Sequence, residues 1–343
     1  MQREANLKGT AEKKKRRSLL LAIAGVRETG ISVFILFLVI AVSLRSPYFL
    51  TVDNFRDILM DIAILSIVAI GEAMVIITRS IDLSIASNIA LSGMIVGMTI
   101  SSRQGIPPAV ALLMGIGVGA IQGTLNGLLV TKGRIPPIIA TLGTLSIYRG
   151  LVFLICGGAW VDAHELPRDF VYLSKDTVLG IPILVLIAVI VAIIFYYFLN
   201  HTRTGREVYA VGSNPEAARV IGIRVNRILF LVYLLSGMLS GMGGVLWVSR
   251  YASAQSDTAV GFELQAVAAA VVGGVNIFGG SGTLPGVLLG SLLLGIVVNA
   301  LNMVRISPFW KLAVQGLIIL LAVLSDALMS RRLQRAQSAE RIS

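Results

Sequence analysis

A polytopic bundle of transmembrane helices, all-α, is the fold class this sequence predicts. Three observations carry that expectation. Hydrophobic residues fill 56% of the 343 positions and charged ones only 14%, with a mean hydropathy of +0.85, which is too apolar for a soluble domain. Apolar stretches recur at roughly 18 to 22 residues, the length a helix needs to cross about 30 Å of hydrocarbon. Glycine, with 35 residues, concentrates inside those stretches, where small side chains let helix backbones approach closely.

Ten spans are expected in chain order, near residues 31–44, 58–78, 85–101, 108–131, 135–156, 180–200, 228–249, 264–278, 284–304 and 308–325. The first, eighth and tenth are short, so nine spans are possible. No stretch between them is long enough to bury a soluble core. One membrane domain, 30–326, therefore lies between a basic segment, 1–29, and a basic tail, 327–343. The start KKKRRSLLLAIAG resembles an export signal, but its apolar run lasts only about nine residues before Arg27 and Glu28 and no small-residue cleavage pattern follows. It reads as a cytoplasmic anchor ahead of the first span.

The net charge of +11 orients the chain rather than recruiting nucleic acid. Threaded through ten spans, Lys8, Lys13, Lys14, Lys15, Arg16, Arg17, Lys132, Arg134, Arg203, Arg206, Arg219, Arg224, Arg227 and the tail 331–341 fall on one side. The opposite loops carry acidic or balanced sets, such as Asp162, Glu165, Arg168, Asp169, Lys175 and Asp176, or Asp257 and Glu263. That asymmetry places both termini in the cytoplasm and sets basic residues against anionic lipid heads.

Within the spans, Gly115, Gly117, Gly119 and Gly123, then Gly237, Gly241, Gly243 and Gly244, then Gly286, Gly290 and Gly295 read as helix-packing faces. Two stretches, 77–93 and 272–290, break the helical pattern alike: apolar helix, polar or glycine-rich interruption, apolar helix. Asp82 sits in the first, where it can cap the following helix; Gly279, Gly280 and Gly282 sit in the second. Non-helical backbone at membrane depth must be buried in protein or line a wet cavity. A third interruption, 132–150, opens a span with Pro136 and Pro137, suited to a first turn whose N–H groups have no partner.

The loop 201–227 carries its own short helix signal, with Asn214 as N-cap, Pro215 at the first helical position, Glu216 in the first turn and Gly222 as the stop. A separately capped helix on the cytoplasmic side of a membrane protein offers a handle to another protein. Polar groups inside spans are costly and mark a candidate pathway: Asp61, Glu72, Asn88, Asn126, Arg149, Asn276, Asn299, Asn302 and Gln315. Asparagines serve more often as interhelical glue than as substrate ligands, and Asp61, Glu72 and Arg149 fall near span ends, where a charged group can reach the interface.

Enzyme readings fare badly. GGSG at 279–282 fits an intramembrane serine protease pattern, yet His164 and His201, the only histidines, fall outside the spans on opposite sides. The single Cys156 forms no internal disulfide and builds no metal site alone. With no GxxxxGK[ST] run the chain lacks a P-loop, so ATP coupling has to come from a partner.

Four blocks resemble the permeases of bacterial ABC importers for monosaccharides, the ribose-type branch: IDLSIAS at 81–87, IPPIIATLGTLSIYRG at 135–150, GREVYAVGSNPEAARVIGI at 205–223 and AAAVVGGVNIFGGSGTLPGVLLG at 268–290. The resemblance runs from about residue 30 to 325. It implies that Ser213, Asn214, Pro215, Glu216, Ala217, Arg219 and Gly222 form the coupling helix that docks on the ATPase. It also implies ATP-binding cassette ATPase subunits that use ATP and Mg, a second permease subunit, a soluble sugar-binding protein, a cell inner membrane location and no cofactor bound by this chain. Docking of the binding protein is expected on the acidic loop 157–180. The family usually has Gly-Gly-Ile-Asp-Leu-Ser-Val-Gly where this chain reads Arg79, Ser80, Ile81, Asp82, Leu83, Ser84, Ile85, Ala86, so the break here must hold side chains. TRSIDLS with the GGAWVDAHELP loop is most similar to the branch importing L-rhamnose or autoinducer-2. The competing class is a proton-coupled secondary transporter using Asp61, Glu72 or Asp82; a third is a membrane receptor that binds without transport.

Overall fold

Hydrophobic length becomes helix almost everywhere in the computed structural model, which describes residues 27–303 and isolated positions between 310 and 324. The N-terminal basic residues, the body of the expected span 308–325, Gln315 and the tail 327–343 lie outside the described residues. The helices are α1 Arg27–Arg45, α2 Val52–Ile77, α3 Ile85–Ser102, α4 Pro108–Thr131, α5 Pro137–Cys156, α6 Arg168–Lys175, α7 Ile183–His201, α8 Arg203–Ser213, α9 Pro215–Val220, α10 Val225–Tyr251, α11 Phe262–Val272 and α12 Leu284–Met303. Of these, α2, α3, α4, α5, α7, α10 and α12 are long and apolar enough to cross a membrane, whereas α1 and α11 are shorter apolar helices. The chain is a polytopic helical membrane protein.

Three local expectations change. The all-α reading gains a two-residue hairpin, β1 Thr177–Val178 paired antiparallel with β2 Ile181–Pro182. Its turn residues Leu179 and Gly180 both have positive φ, the geometry that matches a tight hairpin to strand twist. The acidic stretch 157–180 is a docked element rather than a plain loop, because α6 buries Phe170 and Ser174 while its charges face out. The eighth expected span stops early: α11 ends at Val272, and Gly273 and Gly274, the latter with φ +99°, turn the chain out of the helix.

α2 is the most enclosed helix. Nearly every side chain from Met60 to Ile77 is buried, and apart from Asp61, Ser66 and Glu72 that stretch carries no strongly polar side chain, as suits a helix ringed by others. α4, α5 and α7 instead turn apolar side chains outward, including Leu113, Ile121, Ile139, Leu154 and Ile193, where hydrocarbon is the matching solvent.

α4 and α10 meet backbone to backbone. A Cβ on Gly119 would stand 2.1 Å from the Gly237 carbonyl oxygen, one on Gly123 2.4 Å from that of Tyr233, and one on Gly241 2.1 Å from that of Gly115. The small-residue spacing on each helix thus fits the other, which is how helices bind tightly in lipid without a hydrophobic drive. α11 and α12 repeat the device: a Cβ on Gly286 would meet the Gly273 carbonyl at 2.0 Å, and one on Gly290 that of Ala269 at 2.0 Å. Gly117 faces open space and takes no part.

Candidate translocation and coupling site

The short helix α9 is built by its caps. Asn214 ends α8 in an extended conformation, and its Oδ1 accepts from the N–H groups of Glu216 and Ala217, both at 3.0 Å. Pro215 follows, Glu216 lies in the positive first turn and Arg219 in the negative last turn. At the far end Ile223 N donates to Ala218 O at 2.9 Å and Gly222 N to Arg219 O at 3.0 Å. With Gly222 at φ +86°, this is a Schellman stop. Ala218 is buried, whereas Glu216, Ala217 and Arg219 are exposed and Val220 and Ile221 stand 87% and 74% open. Six residues are far too few for a self-supporting helix, so the caps decide. Asn214→Ala removes both N-terminal bonds, a loss of about 0.5–2 kcal/mol. Amide exchange at Glu216 and Ala217 is expected to quicken several-fold, and unchanged exchange would show that the cap is dispensable.

Both intramembrane breaks converge beneath this helix. Ile77 ends α2, and its carbonyl oxygen accepts from Gly280 N at 2.9 Å, joining the break 78–84 to the break 273–283. Gly212, at the end of α8, lies against the same carbonyl so closely that a Cβ would come to 1.7 Å. Arg79 adopts φ +64°, a left-handed conformation unfavourable for a side chain. Its Nε donates to Gly212 O at 2.6 Å and an Nη to Ser213 O at 2.5 Å, supplying cation to the last carbonyls of α8. Tyr209 of α8 donates its O–H to Gly282 O at 3.0 Å. Burial raises this phenol above its ordinary pKa, so its proton stays on. Residues immediately before α9 are therefore tied to both breaks. Gly279 and Gly280, at φ +84° and +79°, permit the approach.

Asp82 and two of the asparagines meet along one seam between α3 and α4. Asp82 does not occupy the N-cap of α3, which is Ser84. It precedes the helix, where its Oδ1 accepts from Ser84 N at 3.0 Å and Ser84 Oγ at 2.6 Å. Its own N–H donates to Glu72 Oε1 at 3.2 Å, so the break carrying one buried carboxylate is tied to the other, on α2. Asn126 donates to Ser84 Oγ at 2.7 Å, and Gln122 donates to Asn88 Oδ1 and Ser92 Oγ at 3.2 and 3.1 Å. Tyr148 of α5 completes the seam by donating to Gln122 O at 2.9 Å. Asn88 and Asn126 thus join α3 to α4. Gln122, four residues before Asn126 on the same helix, belongs with them although it did not stand out among the polar residues of the spans. Glu72 Oε2, Gln122 Oε1 and Asn126 Oδ1 are buried without a hydrogen-bond partner among the described residues.

The remaining candidates separate into two groups. Arg149 donates to the carbonyls of Ser256 and Thr258 at 2.9 and 2.8 Å, holding the turn before α11. Asn276 closes its own loop, its Oδ1 accepting from Phe278 N at 2.9 Å. Asp61, Asn299 and Asn302 come together at the end of the bundle away from α9, where they border one cavity. Asp61 accepts from Tyr251 O–H at 3.1 Å and lies 3.5 Å from Arg250 Nε. At the α9 end a larger cavity of about 910 Å³ is bordered by Arg79, Arg134, Pro136, Pro137, Arg219 and Arg224. There Pro136 caps α5 and Pro137 is its first residue.

A polytopic helical membrane protein whose intramembrane breaks are tied to an outward-facing capped helix has the form of a transport permease. The chain belongs to the family described as branched-chain amino acid transport system / permease component, whose model matches residues 54–323. It is 39% identical over 298 residues to the ribose import permease protein of Escherichia coli (strain K12), covering 85% of this chain and 91% of that one. The Bacillus subtilis (strain 168) ribose import permease protein is 38% identical over 290 residues, covering 84% and 89%. The autoinducer 2 import system permease protein of Enterobacter sp. (strain 638) is 36% identical over 298 residues, covering 87% and 86%. No solved structure matches the chain.

Proposed function

We infer that this chain is the membrane-spanning permease subunit of an ATP-driven, binding-protein-dependent importer that moves a monosaccharide or sugar-like solute into the cytoplasm by alternating access. The observation that carries it is the similarity, over more than four-fifths of the chain, to permeases named for ribose and autoinducer 2 import. Ribose-like sugars, L-rhamnose and autoinducer-2 are the substrates this reading favours. Proton-coupled transport through Asp61 or Glu72 is not favoured, since Asp61 is engaged by Arg250 and Tyr251 and Glu72 by the Asp82 backbone.

In this reading α9 is the coupling helix: Ala218 anchors it and Val220 and Ile221 offer apolar contact to a groove on an ATP-binding cassette ATPase, which binds the ATP and Mg. The ATPase stroke passes through Arg79 and Tyr209 to the two breaks, and so to the helices that follow them. The seam from Glu72 to Gln122 holds unmatched polar atoms, each costing about 1–3 kcal/mol when left dry, which suits a region that hydrates as helices shift. A second permease subunit completes the path, and a soluble sugar-binding protein docks at the opposite face, where α6 and the acidic residues around it lie. Basic residues at the α9 end support a cytoplasmic side there. Both termini then lie in the cytoplasm of a ten-span protein in the cell inner membrane, with one membrane domain at 30–326 between basic ends.

The test is affinity purification of the tagged chain from detergent-solubilised membranes. An ATPase subunit is expected to co-purify. Pro215→Gly and Glu216→Arg are expected to leave membrane insertion intact and to cut ATP-driven uptake by tenfold or more, on the order of the 1–2 kcal/mol that caps and first-turn charges supply. Normal uptake and normal ATPase association in both variants would remove α9 from the coupling role.

A further inference from the structure

We propose that the cavity bordered by Arg79, Arg134, Arg219 and Arg224, at the α9 end of the bundle, binds a phosphate ester. The four arginines come from four separate segments: the break after α2, the turn between α4 and α5, helix α9 and the residue before α10. No Asp or Glu is among the described residues on its walls. A concavity lined by charge of one sign focuses its field and concentrates the opposite ion. At about 910 Å³ it falls within the range of small-molecule sites, roughly 300–1,000 Å³.

These arginines have unused capacity. The side chains of Arg134, Arg219 and Arg224 make no ion pair or hydrogen bond among the described residues. Arg79 gives two N–H groups to the carbonyls of Gly212 and Ser213 and keeps the rest of its fork. Arg79 and Arg134 both hold a left-handed backbone, at φ +64° and +54°, which glycine adopts freely and other residues resist. An arginine at each of these positions puts strain and charge on the same cavity, and strain of this kind gathers at ligand sites. Two helix starts add to the positive field. α5 and α10 both begin at the cavity, through Pro137 and Val225, and neither has a side-chain cap, so first-turn N–H groups lack a side-chain acceptor.

The number of arginines selects the anion. One carboxylate matches one guanidinium fork, whereas a tetrahedral phosphate offers terminal oxygens to several forks at once. Val130, Ile135, Ile223 and Leu229 supply apolar wall for the organic part of an ester. A soluble organophosphate and the headgroup of an anionic phospholipid share this chemistry. Val220 and Ile221, the apolar contact of α9, do not border the cavity, and neither do the basic residues Lys132 and Arg206. The site is thus separate from that apolar contact and from the general basic character of this end. An occupant ties α9 to the first break and to the turn between α4 and α5.

The experiment follows the melting temperature of the purified full chain in neutral detergent at constant ionic strength. One series adds D-ribose 5-phosphate, with D-ribose as control; the other adds phosphatidylglycerol to the micelles, with phosphatidylcholine as control. A saturable rise of several degrees is expected. A rise in the first series alone assigns the site to a soluble ester, in the second alone to a lipid headgroup, and in both to phosphate from either source. Arg134→Gln and Arg224→Gln should each raise the apparent Kd about tenfold, the effect of one lost charge-assisted contact. Arg134→Lys should recover part of that loss, since it restores the charge without the fork. Lys132→Gln removes a neighbouring charge off the cavity and should keep the wild-type Kd. Saturating ligand should also slow trypsin at Arg219 and Arg224 severalfold in the unmodified chain, a reading that stands even where a variant fails to purify. No saturable rise in either series overturns the site, as do cleavage at the ligand-free rate and an equal loss of affinity in Lys132→Gln, which marks diffuse surface charge.

Discussion

Gly119→Val is expected to prevent α4 and α10 from closing on each other, with the greatest loss of stability of any single change considered for this chain. The new Cβ alone would stand 2.1 Å from the Gly237 carbonyl oxygen and 2.8 Å from the Gly241 Cα. Overpacking against adaptable side chains costs about 1–3 kcal/mol. Here the obstacle is backbone, which yields only if the two helices separate along their length. The variant should then give little monodisperse protein after detergent extraction. Gly117→Val is the matched control, since nothing lies within 4 Å of that position, and it should purify and melt as the wild type does. Equal yields and melting temperatures for the two variants would mean that the glycine faces do not hold these helices together.

The second large effect is expected at Gly212. A valine there puts its Cβ 1.7 Å from the Ile77 carbonyl oxygen and 2.7 Å from Gly280 N. It wedges α8 away from both intramembrane breaks at once and disrupts the bond that joins them. The glycine faces and the polar seam are elsewhere, so the bundle should survive extraction. Trypsin should nevertheless cut faster at Arg219 and Arg224, and ATP-driven uptake should be lost. Arg79→Gly is the graded companion. It removes two charge-assisted bonds, each worth about 1.5–3 kcal/mol, but relieves the left-handed strain of about 1–2 kcal/mol. Its proteolysis rate should fall between those of the wild type and Gly212→Val. A Gly212→Val chain that resists trypsin and transports normally would show that this junction carries no coupling.

Sequence alone showed the importer-permease class, and the family match and the relatives bear that reading out. The long apolar helices between residues 27 and 303 were legible because apolar length is a local property that lipid enforces residue by residue, whereas the polar helices α6 and α8 were not. The caps of α9 were legible for the same reason: Asn214, Pro215 and Gly222 act within a few positions of themselves. Relations between distant segments were not. The two breaks read as separate interruptions, and nothing local announces that Ile77 and Gly280 touch. Arg79 stood out only as a departure from a glycine pattern, while its bonds run to residues 212 and 213. Asn88 and Asn126 stood out as costly inside a span, yet whether an amide faces a path or a neighbouring helix depends on the rotation of that helix. Gln122 could have been found, since it shares a face with Asn126 one turn on. The hairpin at 177–182 turns on Leu-Gly rather than Asn-Gly, which leaves a weak signal in sequence.

The glycine contact between α4 and α10 also sets an order of events while the chain is being made. α4 leaves the ribosome before α5, α6, α7, α8 and α9, and only then does α10 appear. At roughly 5–20 residues per second, that leaves α4 waiting on the order of ten seconds. Its amides need not wait, because α3 has already emerged and Asn126 and Gln122 find Ser84, Asn88 and Ser92 there. Its glycine groove must. Until α10 arrives, Gly115, Gly119 and Gly123 face lipid tails or an insertion factor with no backbone to receive them. α10 thus closes the bundle, and a nascent chain that stalls before it leaves the glycine groove of α4 unfilled.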